Sequence, residues 1–177
     1  MLRITIPALK LYDDDKNEFF TLKEQTLQLE HSLVSLSKWE SKWCKPFLTR
    51  EPKSDEETID YVRCMTLTQN VDPTVYLRLT DAHIEQIQKY IDAPMTATWF
   101  SDTEDKGKQN GEQITSELVY YWMFSFGIPM DCQKWHFNRL LTLIRVFSAK
   151  SQKPKPMTLQ ERAALNAARK KQYNTKG

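Results

Sequence analysis

Residues 114–147, ITSELVYYWMFSFGIPMDCQKWHFNRLLTLIRVF, constrain this chain more than any other stretch. The pattern predicts two helices joined by a tight corner. Leu118, Tyr121, Trp122, Ser125 and Phe126 fall at helical spacing on the first. Trp135, Leu140, Leu141, Ile144 and Phe147 belong to the second, with Arg139 and Arg145 toward its polar side. Gly127 can adopt the left-handed conformation that ends a helix, and Pro129 cannot continue one. Asp131 then falls in the first turn of the following helix, where a negative charge meets the positive end of the macrodipole. Tyr120, Tyr121, Trp122, Phe124 and Phe126 are too many aromatics for one narrow stripe. Such a helix is either central in the core or partly buried in a partner. Packing and contact, rather than chemistry, are what this stretch encodes.

The rest of the composition fits that reading. At 177 residues the chain suits one medium domain with appendages, long enough to bury a core without staples. Four glycines, with neither GxGxxG nor GxxxxGK[ST], argue against a phosphate-binding loop. No apolar run approaches the roughly 20 residues of a membrane span, so no membrane association is expected. The start, MLRITIPALKLYDDD, turns acidic too early for a secretory signal. Cys44, Cys64 and Cys132 form no CxxC pair and read as reduced, buried thiols in a cytosolic compartment. Residues 150–177 hold six Lys and two Arg against Glu161, a net charge of +7. The preceding 149 residues have 17 basic and 22 acidic side chains, a net charge of −5. A basic tail thus follows a mildly acidic body, which points to a partner without naming it.

Along the chain, Leu2, Ile4 and Ile6 alternate with polar residues as a strand does. Residues 13–17, DDDKN, read as a turn and residues 18–21 as the returning strand of a hairpin. Three adjacent aspartates invite a calcium reading, but a calcium loop needs a central Gly and none is present here. Leu27 and Leu29 look strand-like, while Leu33, Leu36, Trp39 and Trp43 recur at the helical period behind Ser32 as cap. Trp39 and Trp43 share a face that is either core or a binding platform. Ser54 and Glu57 form a capping box before Ile59, Val62 and Met65. Thr80 can cap the helix carrying Ile84, Ile87 and Ile91. Residues 95–100, MTATWF, suit a short strand or extended segment, and residues 101–112 a charged mobile loop. Lys153-Pro154-Lys155-Pro156 reads as a stiff spacer. Thr158 and Glu161 make a second capping box, opening an Ala-rich helix with little apolar surface of its own.

Candidate chemistry is sparse. Cys132 and His136, four apart on one helix face, have the spacing of half a zinc site, but His31 and His83 are isolated elsewhere and no second pair closes a tetrahedron. As nucleophile and base the same two residues lack an orienting group and an oxyanion hole. A buried thiol beside a partly exposed imidazole is the plainer reading. No catalytic residue, metal or cofactor is expected.

The blocks LQLEHSLVSLSKWESKW, ETIDYVRCMTLTQNVDP, PMTATWF and ITSELVYYWMFSFGIPMDCQKWHFNRLLTLI resemble a small protein common in tailed bacteriophages, and ALNAARKKQYNTKG resembles its ending. Together they cover most of the chain. Among phage morphogenesis proteins the chain is most similar to tail assembly chaperones. The resemblance implies a mainly helical adaptor that binds the tape measure protein, helps recruit tail-tube subunits and then leaves. It would work in the host bacterial cytoplasm. A retained virion component, such as a head-to-tail connector or tail-tube accessory able to form a homo-oligomer, needs the same kind of surfaces and stays open as the alternative.

The expected architecture is mainly α: a compact helical domain with a small N-terminal β-hairpin over residues 1–149, and a basic linker with a detached tail helix over 150–177. The expected function is non-enzymatic. Expected contact residues are Tyr120, Trp122, Phe124, Trp135 and His136, then Trp39 and Trp43. In the basic tail they are Arg162, Arg169, Lys170 and Lys171. Binding of nucleic acid through that tail is the second alternative, disfavoured by the acidic body.

Overall fold

A computed structural model describes residues 1–13, 17–49, 51–100, 113–151 and 159–173. Among these the chain is mainly α-helical behind an N-terminal β-ribbon. The aspartates at 14 and 15, the 101–112 loop, the 153–156 spacer and Thr158 lie outside the described residues. The chain divides into two compact units, Met1–Arg145 and Val146–Gly177.

The first unit opens with four short strands: β1 (Leu2–Ile6), β2 (Leu9–Asp13), β3 (Glu18–Leu22) and β4 (Gln25–Leu29). β1 pairs antiparallel with β4, Leu2 opposite Leu29, and β2 with β3, Leu9 opposite Leu22. The expected partner of the first strand, residues 18–21, instead pairs with β2. Burial sets this register: Ile4 and Ile6 on β1, with Leu27 and Leu29 on β4, face the core, and a one-residue slip would turn all four outward. Pro7, which has no N–H to give a ladder, follows β1 where the two pairings meet. The far edge of β4 is covered by residues 65–68, through Leu67 N–H to the Gln28 carbonyl (2.8 Å) and Glu30 N–H to the Met65 carbonyl (2.9 Å).

Helix α1 (Leu33–Trp43) starts at Ser32, whose hydroxyl accepts from Ser35 N–H while the Ser35 hydroxyl accepts from Ser32 N–H. A serine therefore closes this capping box in place of the usual acid. Helix α2 (Asp55–Met65) has the expected box: Glu57 N–H donates to Ser54 Oγ and Ser54 N–H donates to Glu57 Oε2. A 3-10 helix, Pro73–Arg78, leads to α3 (Asp81–Asp92), where Thr80 N–H donates to His83 Nδ1 at 3.2 Å. Helix α4 (Ser116–Ser125) ends before Gly127, which sits at φ +65° as its place in the corner requires. A second 3-10 helix, Met130–Lys134, and α5 (Phe137–Ser151) follow. Helix α6 (Leu159–Tyr173) lies in the second unit.

Four expectations are corrected. On α4 the core face is Val119 and Met123, both fully buried, while Tyr121 and Ser125 of the expected stripe are exposed. A helix apolar all round carries no pattern from which its inner face can be read. Of the two alternatives for residues 95–100 the strand is ruled out: they join no ladder, Met95 turns to φ +49° and Trp99 stands 83% exposed. Cys132 and His136 share no helix face, since Cys132 is in the 3-10 helix and His136 precedes α5. Of the three thiols only Cys132 is buried, and Cys44 is exposed where α1 ends in a left-handed turn at φ 51°.

Candidate interaction surfaces

The structure sorts the expected contact residues by how much of each side chain the core consumes. Trp39 is 1% exposed; its indole N–H donates to the Glu57 carbonyl at 2.9 Å, and Phe47 meets it edge-on. Trp43, stacked on Trp39 at 6.1 Å, is half-buried and donates to Asp60 Oδ2 at 2.9 Å, with Lys42 and Lys45 over its ring. Tyr120 and Trp122 are half-buried against the core, the Tyr120 hydroxyl donating to Gln133 Oε1 at 2.9 Å. Trp135 is half-buried under the Arg139 guanidinium, 4.2 Å from its ring centre. Phe124 is 67% exposed, and Tyr121, three residues earlier on the same face of α4, is exposed as well. In the tail, Arg162 and Arg169 are exposed on α6; the side chains of Lys170 and Lys171 lie outside the described residues.

His136 is not a surface group. It is buried, as is His31, and the two rings meet edge to face with centroids 5.1 Å apart. His136 donates from Nε2 to the Tyr90 carbonyl at 2.9 Å, which leaves Nδ1 as a buried acceptor without a partner. His31 Nδ1 shares a 2.5 Å hydrogen bond with the Tyr61 hydroxyl, and its carbonyl accepts from Phe137 N–H at 2.8 Å. Burial, with His136 adding to it, pushes the His31 pKa down to about 3, and burial lowers that of His136 too. Burial also raises the Tyr61 hydroxyl far above its ordinary value. Both imidazoles are therefore neutral at pH 7. Among the described residues no three His, Cys, Asp or Glu side chains gather as a metal site would require. The cluster fastens four segments together: the β4–α1 junction, α2, α3 and the start of α5.

The surface that sequence reasoning missed is the outer half of the ribbon. Leu9, Leu11, Tyr12, Phe19 and Phe20 are all exposed, Phe19 at 66%. Tyr12 and Phe19 pack on each other across one face (centroids 4.8 Å), and Leu11 opposes Phe20 on the other. Two adjacent phenylalanines in a strand point to opposite faces, so Phe19-Phe20 already signals that one ring cannot reach a one-sided core. At the root of this arm a cavity of about 270 Å³ opens between Thr21, Lys23 and Gln25 on the ribbon side and Asp72, Thr74 and Arg78 around the first 3-10 helix. No helix among the described residues is long and apolar enough to cross a membrane. Compared with protein-family models, with curated proteins and with solved structures, the chain gave no match.

Proposed function

We propose that this chain is a non-enzymatic assembly protein of a tailed phage, and most specifically a tail assembly chaperone that binds the tape measure protein and recruits tail-tube subunits. The observation that carries the reading is the placement of large aromatic side chains in solvent, on a helix anchored by its opposite face and on the ribbon arm. Phe124 and Tyr121 project from a helix whose Val119 and Met123 are sealed in the core, and Phe19 and Phe20 project from the arm. Such groups are favoured where a partner covers them. The sequence blocks that resemble phage morphogenesis proteins supply the more specific assignment.

The test is mass spectrometry of purified virions beside an infected-cell lysate. A chaperone is abundant in the lysate and absent from the particle. Several copies per particle would replace this reading with a connector or tail-tube accessory. That alternative is favoured by the arm, since a ribbon with exposed faces suits lasting subunit contacts. The exposed Arg162 and Arg169 on α6 keep nucleic-acid binding as a further reading. It requires an affinity that falls steeply with salt and is lost with residues 150–177.

A further inference from the structure

Two features at the root of the arm fit together. Among the described residues β3 pairs with β2 alone, so the outer edge of Glu18–Leu22 has no strand beside it. The C-terminal end of β3 reaches the 270 Å³ cavity, which Thr21 and Leu22 help to line. Inside the cavity Arg78 is half-buried; its Nε is sealed from solvent without an acceptor, and one terminal nitrogen makes only a long 3.4 Å bond to the Lys23 carbonyl. With Nε closed off, a ligand in the cavity can meet the guanidinium only through its terminal nitrogens, and a carboxylate is the best-matched partner for that fork. Asp72 acts on Arg78 only at longer range: its Oδ1 accepts from the Thr74 N–H at 2.9 Å and the Thr74 hydroxyl at 2.8 Å, and it makes no direct ion pair with the guanidinium. Those bonds first, and the Arg78 charge after them, hold its carboxyl below the usual range, so it stays charged. Lys23 and Arg78 set against Asp72 leave one net positive charge in the lining, which favours an anionic side chain.

We propose that the outer edge of β3 and the Arg78 cavity form one strand-addition site, taking an extended segment of a partner protein that carries a carboxylate side chain. Backbone hydrogen bonds along Glu18–Leu22 hold the segment, the exposed rings of Phe19 and Phe20 cover its side chains, and the carboxylate enters the cavity against Arg78. Strand addition of this kind gains affinity from the main chain and selectivity from the pocket. The inference rests on reading the chain as an interaction protein. Its test uses synthetic peptides and no phage component, so it fails separately from the virion assay.

The experiment is NMR titration of the full-length ¹⁵N-labelled chain with the capped peptide Thr-Val-Thr-Val-Glu, with its Gln-ended counterpart, and with sodium acetate. The expected result is that the Glu peptide shifts both the Arg78 Nε–H signal and the amides of Glu18–Leu22, while the Gln peptide binds about tenfold more weakly. In Arg78→Gln the two peptides should bind within about twofold of each other. Equal binding of both peptides to the unsubstituted chain overturns the proposal, as does a lack of any shift. Acetate moving Arg78 while neither peptide moves the β3 amides overturns it too, because the cavity would then be a simple anion pocket. The comparison on the unsubstituted chain decides the question even if Arg78→Gln folds poorly.

Discussion

His31 and His136 lie 105 positions apart in sequence, yet their rings touch edge to face in the core with centroids 5.1 Å apart. Both are held neutral because the surrounding protein replaces water around them. The unfolded chain takes up a proton on His31 near pH 6.5, whereas the folded chain resists it down to about pH 3. Between those values the unfolded state binds more protons, so stability rises with pH and falls on acidification. From pH 6.5 to 5, where carboxylates have barely begun to titrate, His31 should cost about 1–2 kcal/mol of unfolding free energy, and His136 adds in the same direction. Urea melts at pH 7, 6 and 5 measure this. A flat profile would mean that water reaches the pair; in His31→Leu the slope should shrink whatever happens to the plateau.

Glu40 makes a second long connection. Its Oε1 accepts from Phe47 N–H and its Oε2 from Ser116 N–H, each at 2.7 Å. Ser116 is the first residue of α4, so one buried carboxylate ends the loop after α1 and sits on the positive end of another helix. Glu40→Gln turns one of those oxygens into an NH₂ group facing an N–H. The expected loss is about 2–3 kcal/mol by urea unfolding. A loss below about 0.5 kcal/mol would show that water or a shifted backbone replaces the bond.

Both connections join residues far apart in the chain, and neither is legible in the local pattern. The Ser54–Glu57 box and the Gly127 corner were legible because each is settled within four residues, by cap chemistry and by φ. The helices at Leu33–Trp43 and Asp81–Asp92 were legible from their apolar spacing. Glu40 reads locally as one more charge on a helix, since its second partner is 76 positions away. The strand pairing was half legible: Leu27 and Leu29 look strand-like, but their pairing with β1 depends on which apolar faces the core accepts. The inner face of α4 was hidden by its own uniform hydrophobicity, and with it the identity of Phe124 and Tyr121 as exposed neighbours. His136, with a polar ring and a sequence neighbour suited to metal binding, looked like a surface group and proved to be a core hydrogen-bond donor.

Replacing residues 9–22 by two glycines should leave the rest of the first unit folded. β2 and β3 pack chiefly on each other, while β1 and β4 keep their own ladder and supply the buried Ile4, Ile6, Leu27 and Leu29. The shorter connection lowers the closure cost slightly. The melting temperature should stay within about 3 °C and near-UV circular dichroism should lose only the contribution of Tyr12, Phe19 and Phe20. A much larger fall would mean that the ribbon is a structural strap rather than an arm.

Trp39 and Phe124 make the sharpest paired test of where aromatic side chains contribute. Trp39→Ala empties a sealed site and strips the Glu57 carbonyl of an indole donor. It should cost about 3–5 kcal/mol in thermal or urea unfolding. Phe124→Ser removes a ring that is two-thirds in solvent, so folding should change by less than about 0.5 kcal/mol. Under the proposed assembly role the same substitution should abolish co-purification with the tape measure protein from infected cells. The two effects are meant to separate: a destabilised Phe124→Ser would place that ring in the fold, and a stable variant with full capture would remove α4 from the contact surface. Trp122→Ala, from a half-buried site next to the fully buried Met123, should fall between the two in stability.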